Sequence, residues 1–161
     1  MSNEFLSHLD QAGRPAMVDI SAKTAGSREA IAQARVNFSA EAWGRLAAGG
    51  FSTSKGPVFD VARIAGTMAV KQTSDLIPFC HFLPIEGCVL EISPVEGDPA
   101  VLIICRVRCN GKTGVEMEAL TGASVAALTL YDMTKSLGPE TVITEVKLVS
   151  KTGGKSDYVT T

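Results

Sequence analysis

The chain has 161 residues, 45% of them hydrophobic, with 15 Lys and Arg against 17 Asp and Glu for a formal charge of −2. That length suits one domain with a sizeable core, and the near-balanced charge gives no electrostatic case for nucleic acid or an acidic membrane as a partner. No apolar run approaches the ~20 residues of a membrane helix, and the polar opening MSNEFLSHLDQAGRPA lacks the basic-then-apolar pattern of a secretory signal, so the expected location is the cytoplasm.

Residues 1–16 read as a flexible tail and 17–20 as a short strand. From Ala32 the chain alternates, with Ala32, Ala34, Val36 and Phe38 on one side and Gln33, Arg35 and Asn37 on the other. That is a half-buried strand over 32–38. Ser39 is placed to cap a short helix that runs through Ala48 with Trp43 and Leu46 inward, and Gly49-Gly50 ends it. A loop over 51–56 carries Lys55. Pro57 suits the first turn of a second helix with the apolar stripe Val58, Val61, Ala62, Ala65, Met68 and Ala69. Gly66 inside that helix costs ~1 kcal/mol of propensity, which predicts a close packing contact.

Residues 75–84 (DLIPFCHFLP) read as a buried irregular loop. Residues 88–93 and 100–109 form a hairpin around PVEGDP. A long helix follows, ending near Leu137 with Gly138-Pro139 as its stop. A last strand spans 142–149, and 151–161 reads as a Gly- and Lys-containing tail. This order of strand, helix pair, strand, strand, helix, strand predicts an α+β, ferredoxin-like fold. Its antiparallel sheet would have helices packed on one face. The other face then needs cover, which predicts a homo-oligomer.

The four cysteines, Cys80, Cys88, Cys105 and Cys109, form no CxxC pair, and the only histidines are His8 and His81. Reduced thiols and no zinc site are expected. The segments Asn110-Gly111-Lys112-Thr113 and Gly153-Gly154-Lys155-Ser156 imitate a phosphate-binding P-loop. Its first glycine is missing in both cases, where Arg106 and Val149 stand. Gly111, Lys112 and Gly114 before a helix still offer free backbone N–H groups and a cation. The plainer reading is an ordinary strand-to-helix turn.

The run 110–135 holds its charges at its two ends and none from Ala119 to Leu130. Glu116 and Glu118 share a face on a strand but diverge by ~200° on a helix. Glu118 and Asp132 would lie ~21 Å apart on one straight helix. Either one is structural, or the site forms between subunits. Asp132 and Lys135 are close enough to touch. They read as a weak surface ion pair, or as an acid/base pair if the lysine is partly desolvated. His81, in an apolar loop, reads first as a hydrogen-bonded packing residue. Cys80 beside it is a nucleophile only if a base is in reach. Lys55, Lys151 and Lys155 read as loop lysines.

The strings ARIAGTMAVKQTSDLIPFCH (62–81), GKTGVEMEALTGASVAALTLYDMTK (111–135) and KTGGKS (151–156) carry a specific resemblance. The chain is similar to the cyclic pyranopterin monophosphate synthases, the molybdenum cofactor biosynthesis protein C family, from about residue 17 to 157. That stretch is then a single catalytic domain, with 158–161 as a C-terminal tail. The resemblance implies a ferredoxin-like fold in a hexamer, a trimer of dimers, with the active site at a subunit interface. It implies conversion of 3′,8-cyclo-7,8-dihydro-GTP to cyclic pyranopterin monophosphate and pyrophosphate.

By match to the family motifs, Asp132, Lys135 and Lys55 are expected to be catalytic. Phe79, Cys80, His81, Met117, Glu118, Glu116 and Lys151 are expected to bind substrate. No cofactor is required, and magnesium would enter only on the substrate triphosphate. The chain departs from the family pattern at Pro57, Phe82, Thr134 and Asp157. A nucleotide-sensing module of the same fold is the competing class, since it would need the lysines but no acid/base pair.

Overall fold

The computed structural model describes residues 12–160. The first long strand, β1 (Gly26–Asn37), buries Ala30, Ala32, Ala34 and Val36 on one face, as the alternation predicts. It starts six residues before the predicted position. Its first residues include Arg28 and Glu29 rather than alternating apolar side chains, so periodicity alone does not reveal them. Ser39 caps α1 (Ala40–Ala48), its hydroxyl accepting the Ala42 N–H at 3.3 Å. Ala42 and Leu46 are buried, while Trp43 is half-buried in an aromatic chain running from Phe38 through Trp43 and Phe51 to Phe59.

The predicted loop over 51–56 is a miniature hairpin of β2 (Ser52–Thr53) and β3 (Gly56–Pro57), with Lys55 in its turn. Helix α2 (Val58–Lys71) follows directly. Its buried stripe is Val58, Ala62, Gly66, Ala69 and Val70. Met68, expected inside, is 55% exposed, because the helix turns Gly66 and Val70 towards the core instead. A single-turn helix, α3 (Thr73–Leu76), leads into the apolar loop. That loop is not buried in the single chain, since Phe79 and Phe82 are exposed at 40% and 78%.

The hairpin strands β4 (Ile85–Pro94) and β5 (Ala100–Gly111) pair in antiparallel register. Val101, Ile103, Cys105, Val107 and Cys109 line the buried face of β5. The long helix α4 (Glu116–Thr134) then crosses the sheet, and a 3-10 turn (Lys135–Leu137) ends it before Gly138. The final long strand, β6 (Val142–Thr152), continues three residues past the predicted end. Tyr158 and Val159, expected in tail segments, form β7 against Ser150 and Lys151. Residues 17–20 are not a strand. Their backbone is held by side chains and turns rather than by a ladder.

The sheet order is β4-β5-β1-β6-β7, antiparallel throughout. Without the short β7 this is the ferredoxin-like order, and the fold is α+β as predicted. Helices α2 and α4 lie together on one face, α4 over β1, β5 and β6 and α2 over β4. Their crossing rests on two glycines. A Cβ on Gly66 would stand 2.8 Å from the Gly122 carbonyl, and one on Gly122 would stand 2.6 Å from Val70 and 2.7 Å from Cys105 Sγ. The close contact predicted for Gly66 is therefore present.

The opposite sheet face is not bare hydrocarbon. It carries the ion pairs Glu29–Arg106 and Arg35–Asp98 and the Gln33–Glu145 hydrogen bond. Among the described residues no helix is long and apolar enough to cross a membrane, and all four cysteines are free thiols.

Candidate active site

Helix α4 holds two polar clusters apart, one at each end. At its C-terminal end the Asp132 carboxylate lies between two ammonium groups, Lys55 Nζ at 2.7 Å and Lys135 Nζ at 2.8 Å. Lys55 also donates to the Asp132 carbonyl at 2.8 Å, so the β2–β3 turn is tied to the last turn of the helix. Hydrogen bonds from Lys135 and then Lys55 pull the Asp132 pKa down to about 2, and the Lys135 pKa rises in response. The desolvation that the acid/base reading of this pair required is absent in the single chain, where the Lys135 side chain is 59% exposed. In the single chain this cluster is a charged triad whose acid is ionised and whose Lys135 is held protonated.

At the N-terminal end two adjoining hollows of about 500 Å³ each form one cleft, sharing Lys23, Thr113, Gly114, Glu116 and Lys155. The first hollow collects Lys23, Arg28, Lys112, Lys151 and Lys155 against Glu29 and Glu116. The second is lined by Phe79, Cys80, His81, Met117 and Glu118, with Val18 and Ile20 opposite. All seven residues expected to bind substrate thus line one cleft, while the three expected to be catalytic sit at the far end of the helix. A rise of 1.5 Å per residue over the fourteen residues from Glu118 to Asp132 puts the two ends ~21 Å apart.

Local structure explains each placement. Glu118 falls in the first turn of α4 on its inward side and is only 4% exposed. Burial raises its pKa above the usual carboxylate range, although its own backbone N–H partly opposes this. Burial, and then the Glu118 charge, push the Cys80 thiol up, which argues against a nucleophilic thiolate there. His81 Nε2 donates to the Val18 carbonyl at 2.8 Å, because a carbonyl can only accept. That is the packing role expected for a lone histidine. Lys151 lies on β6, not in a loop, and pairs with Glu116 at 3.0 Å.

The stretch once expected as a strand forms a strap over this cleft. His81 holds it at Val18, and Lys112 Nζ holds it at the Ser21 carbonyl at 2.8 Å. Asp19 Oδ1 accepts the Ser21 N–H at 2.8 Å, closing a tight turn that presents Lys23. Arg28 donates to the Gly111 and Gly153 carbonyls, clamping the loops after β5 and β6 on either side of the cleft.

Sequence reasoning singled out neither Lys23 nor Arg28. Both lie between the expected strand at 17–20 and the first recognisable alternation at Ala32, a stretch with no periodic signal. Of the positions that depart from the family pattern, Thr134 is buried with its hydroxyl on the Leu130 carbonyl at 2.7 Å. Asp157 Oδ1 accepts the Gly153 N–H at 3.1 Å, and Phe82 is exposed. Among the described residues no cluster of three or more His, Cys, Asp or Glu is arranged to hold a metal ion.

This geometry can be set beside known proteins. The chain is 55% identical over 152 residues to a cyclic pyranopterin monophosphate synthase of Xanthomonas campestris pv. campestris, covering 94% of this chain and 92% of that protein. It is 48% identical over 153 residues to a cyclic pyranopterin monophosphate synthase of Heliobacterium modesticaldum, covering 95% of each. A molybdenum cofactor biosynthesis bifunctional protein of Synechocystis is 53% identical over 156 residues, which are 95% of this chain and 45% of that protein. The match to a family model spans residues 17–154, from the strap to the glycines after β6, and takes in both ends of α4: the chain belongs to the MoaC family.

Proposed function

We propose that this protein is a cyclic pyranopterin monophosphate synthase, a lyase that converts 3′,8-cyclo-7,8-dihydro-GTP to cyclic pyranopterin monophosphate and pyrophosphate in molybdenum cofactor biosynthesis. Within the chain, one observation carries the reading. The cleft at the α4 N-terminus sets five cations against two carboxylates in its first hollow, beside a helix end whose backbone dipoles favour anions. A triphosphate suits that charge. The second hollow, with Phe79, Met117 and the buried Glu118, suits the flat ring system.

In this reading a sugar hydroxyl attacks the α-phosphorus, the cyclic phosphate closes and pyrophosphate leaves. Lys23, Lys151 and Lys155 neutralise the charge that builds on the leaving oxygens. Ring opening and rebuilding need proton transfers, for which Asp132, Lys55 and Lys135 are the proposed groups. Their distance from the cleft within one chain supports a site shared between subunits. The N-terminal end of one α4 would meet the C-terminal end of another in a homohexamer, a trimer of dimers. Exposed Ile64, Met68, Phe82 and Leu128 offer apolar surface for such contacts. A magnesium ion would arrive on the triphosphate and need no protein cage. Free thiols and the guanosine-derived substrate favour a cytoplasmic location.

The test is direct. Purified protein given 3′,8-cyclo-7,8-dihydro-GTP should release one pyrophosphate per cyclic phosphate formed. Tight binding of the substrate with no pyrophosphate release would favour the nucleotide-sensing module instead.

A further inference from the structure

We infer that Gly114 is a positioning residue: its missing side chain is the space into which Glu116 folds back to hold Lys151 at the cleft. A Cβ built on Gly114 would stand 1.9 Å from Glu116 Oε2, 2.7 Å from Cδ and 2.9 Å from Oε1. The glutamate carboxylate therefore lies over the backbone of the residue two positions before it. In that place it meets Lys151 Nζ at 3.0 Å, with both side chains about two-thirds buried or more.

Backbone conformation does not require a glycine here. Gly114 has no positive φ, unlike Gly50, Gly97 and Gly153. An alanine can adopt the same backbone, so what the glycine supplies is room. The atoms an alanine would strike belong to the end of a flexible side chain, so the carboxylate would move while the fold stays.

The helix start makes this arrangement consequential. Val115 is the N-cap of α4 and offers no side-chain acceptor. Glu116 supplies the negative charge that the first turn favours, and by folding back it places that charge in both hollows of the cleft. Lys151 reaches the cleft from β6, on the opposite wall. The ion pair thus fixes a strand lysine against a helix start across the opening. The consequence for turnover rests on the synthase activity proposed above, but the Gly114–Glu116–Lys151 contact does not.

The experiment labels surface lysines of the full-length protein with a limiting amine acylating reagent and reads Lys151 by mass spectrometry. Gly114→Ala should raise Lys151 labelling about threefold, the scale of one lost ion pair. Glu116→Ala should raise it equally, and Gly114→Ala with Glu116→Ala should raise it no further. Glu116→Gln, which keeps its bulk over Gly114 without the charge, should match Glu116→Ala and needs no change at the glycine.

Labelling of Gly114→Ala at the parental level, or a double variant that adds a second increment, would overturn the inference. With 3′,8-cyclo-7,8-dihydro-GTP, Gly114→Ala, Glu116→Ala and the double variant should lose turnover by the same factor. If the parent protein shows no turnover, the proposed activity falls while the labelling still decides the contact.

Discussion

Glu118 and Asp132 stand at opposite ends of one unbroken helix, in environments that drive their acidities apart. Glu118 is buried in the first turn, and desolvation pushes its pKa up. Asp132 is exposed in the last turn, and the Lys135 and Lys55 ammonium groups draw its pKa down to about 2. Two carboxyls in such opposed settings suit opposite tasks, one biased towards its protonated form and the other towards its charged form. The apolar middle of α4, from Ala119 to Leu130, serves as a rigid spacer between them.

Asp132→Asn should abolish most turnover, by about 10²- to 10⁴-fold if its charge acts in proton transfer. The melting temperature should fall only slightly, because the ion pairs it loses are exposed. Acidity offers a second check. The lowered pKa means that the contribution of Asp132 to stability is present above the ordinary aspartate range and is lost only as the pH falls through about 2. Any acid limb of the pH–rate profile well above that value belongs to another group and should survive in Asp132→Glu. Steady-state kinetics across pH, with circular dichroism melts, measure both.

Glu118 gives the opposite sign. Its raised pKa favours the protonated carboxyl in the folded chain, so its contribution to stability is present below the ordinary glutamate pKa and is lost as the pH rises through the folded value. Glu118→Gln keeps the shape without the charge. It should raise the melting temperature at neutral pH and flatten its fall between acidic and neutral pH. A variant that melts lower than the parent at neutral pH would mean that the ionised carboxylate is stabilised by the fold.

The glycines at the α2–α4 crossing should not be equivalent. Replacing a helical glycine by alanine gains ~1 kcal/mol of propensity, while overpacking costs about 1–3 kcal/mol or more. At Gly122 the new methyl meets Val70 Cγ2 at 2.6 Å and Cys105 Sγ at 2.7 Å, short buried side chains with little room to move. At Gly66 it meets the Gly122 carbonyl at 2.8 Å and Leu90 at 2.7 Å, and a helix backbone cannot yield. Both substitutions should therefore destabilise, Gly66→Ala by more than Gly122→Ala. The pair should not be additive, since the two sites touch. Urea unfolding midpoints decide the order.

Much of this was legible in the sequence because the relevant signals are periodic. The alternation of Ala32–Phe38 and Val101–Cys109 marks β1 and β5, and the charge-free run from Ala119 to Leu130 marks a buried helix. The Gly66 contact followed from the cost of a glycine inside a helix. What stayed hidden depends on tertiary placement. The strap over the cleft has no ladder although residues 17–20 look like a strand, and Lys23 follows in a stretch without periodicity. Arg28 is polar at the start of β1, where no alternation announces it. Lys151 seemed a loop residue because β6 outruns its apolar residues to pair with β7. The fold-back of Glu116 over Gly114 is a rotamer, and no sequence pattern encodes it.

Because α4 keeps its two ends ~21 Å apart, a shared site predicts complementation between defective chains. Asp132→Asn damages only the C-terminal end, and Lys151→Ala damages only the cleft. Each variant alone should be nearly inactive. If each site takes its cleft from one subunit and its Asp132 cluster from another, random reassembly of a one-to-one mixture makes a fully native site in about a quarter of cases. Activity should therefore return to about a quarter of the parental rate after the mixed variants are dissociated and refolded together. It should not return when the two are mixed without exchange. A site completed within one chain predicts no recovery under either treatment, since no single chain in the mixture carries both ends intact.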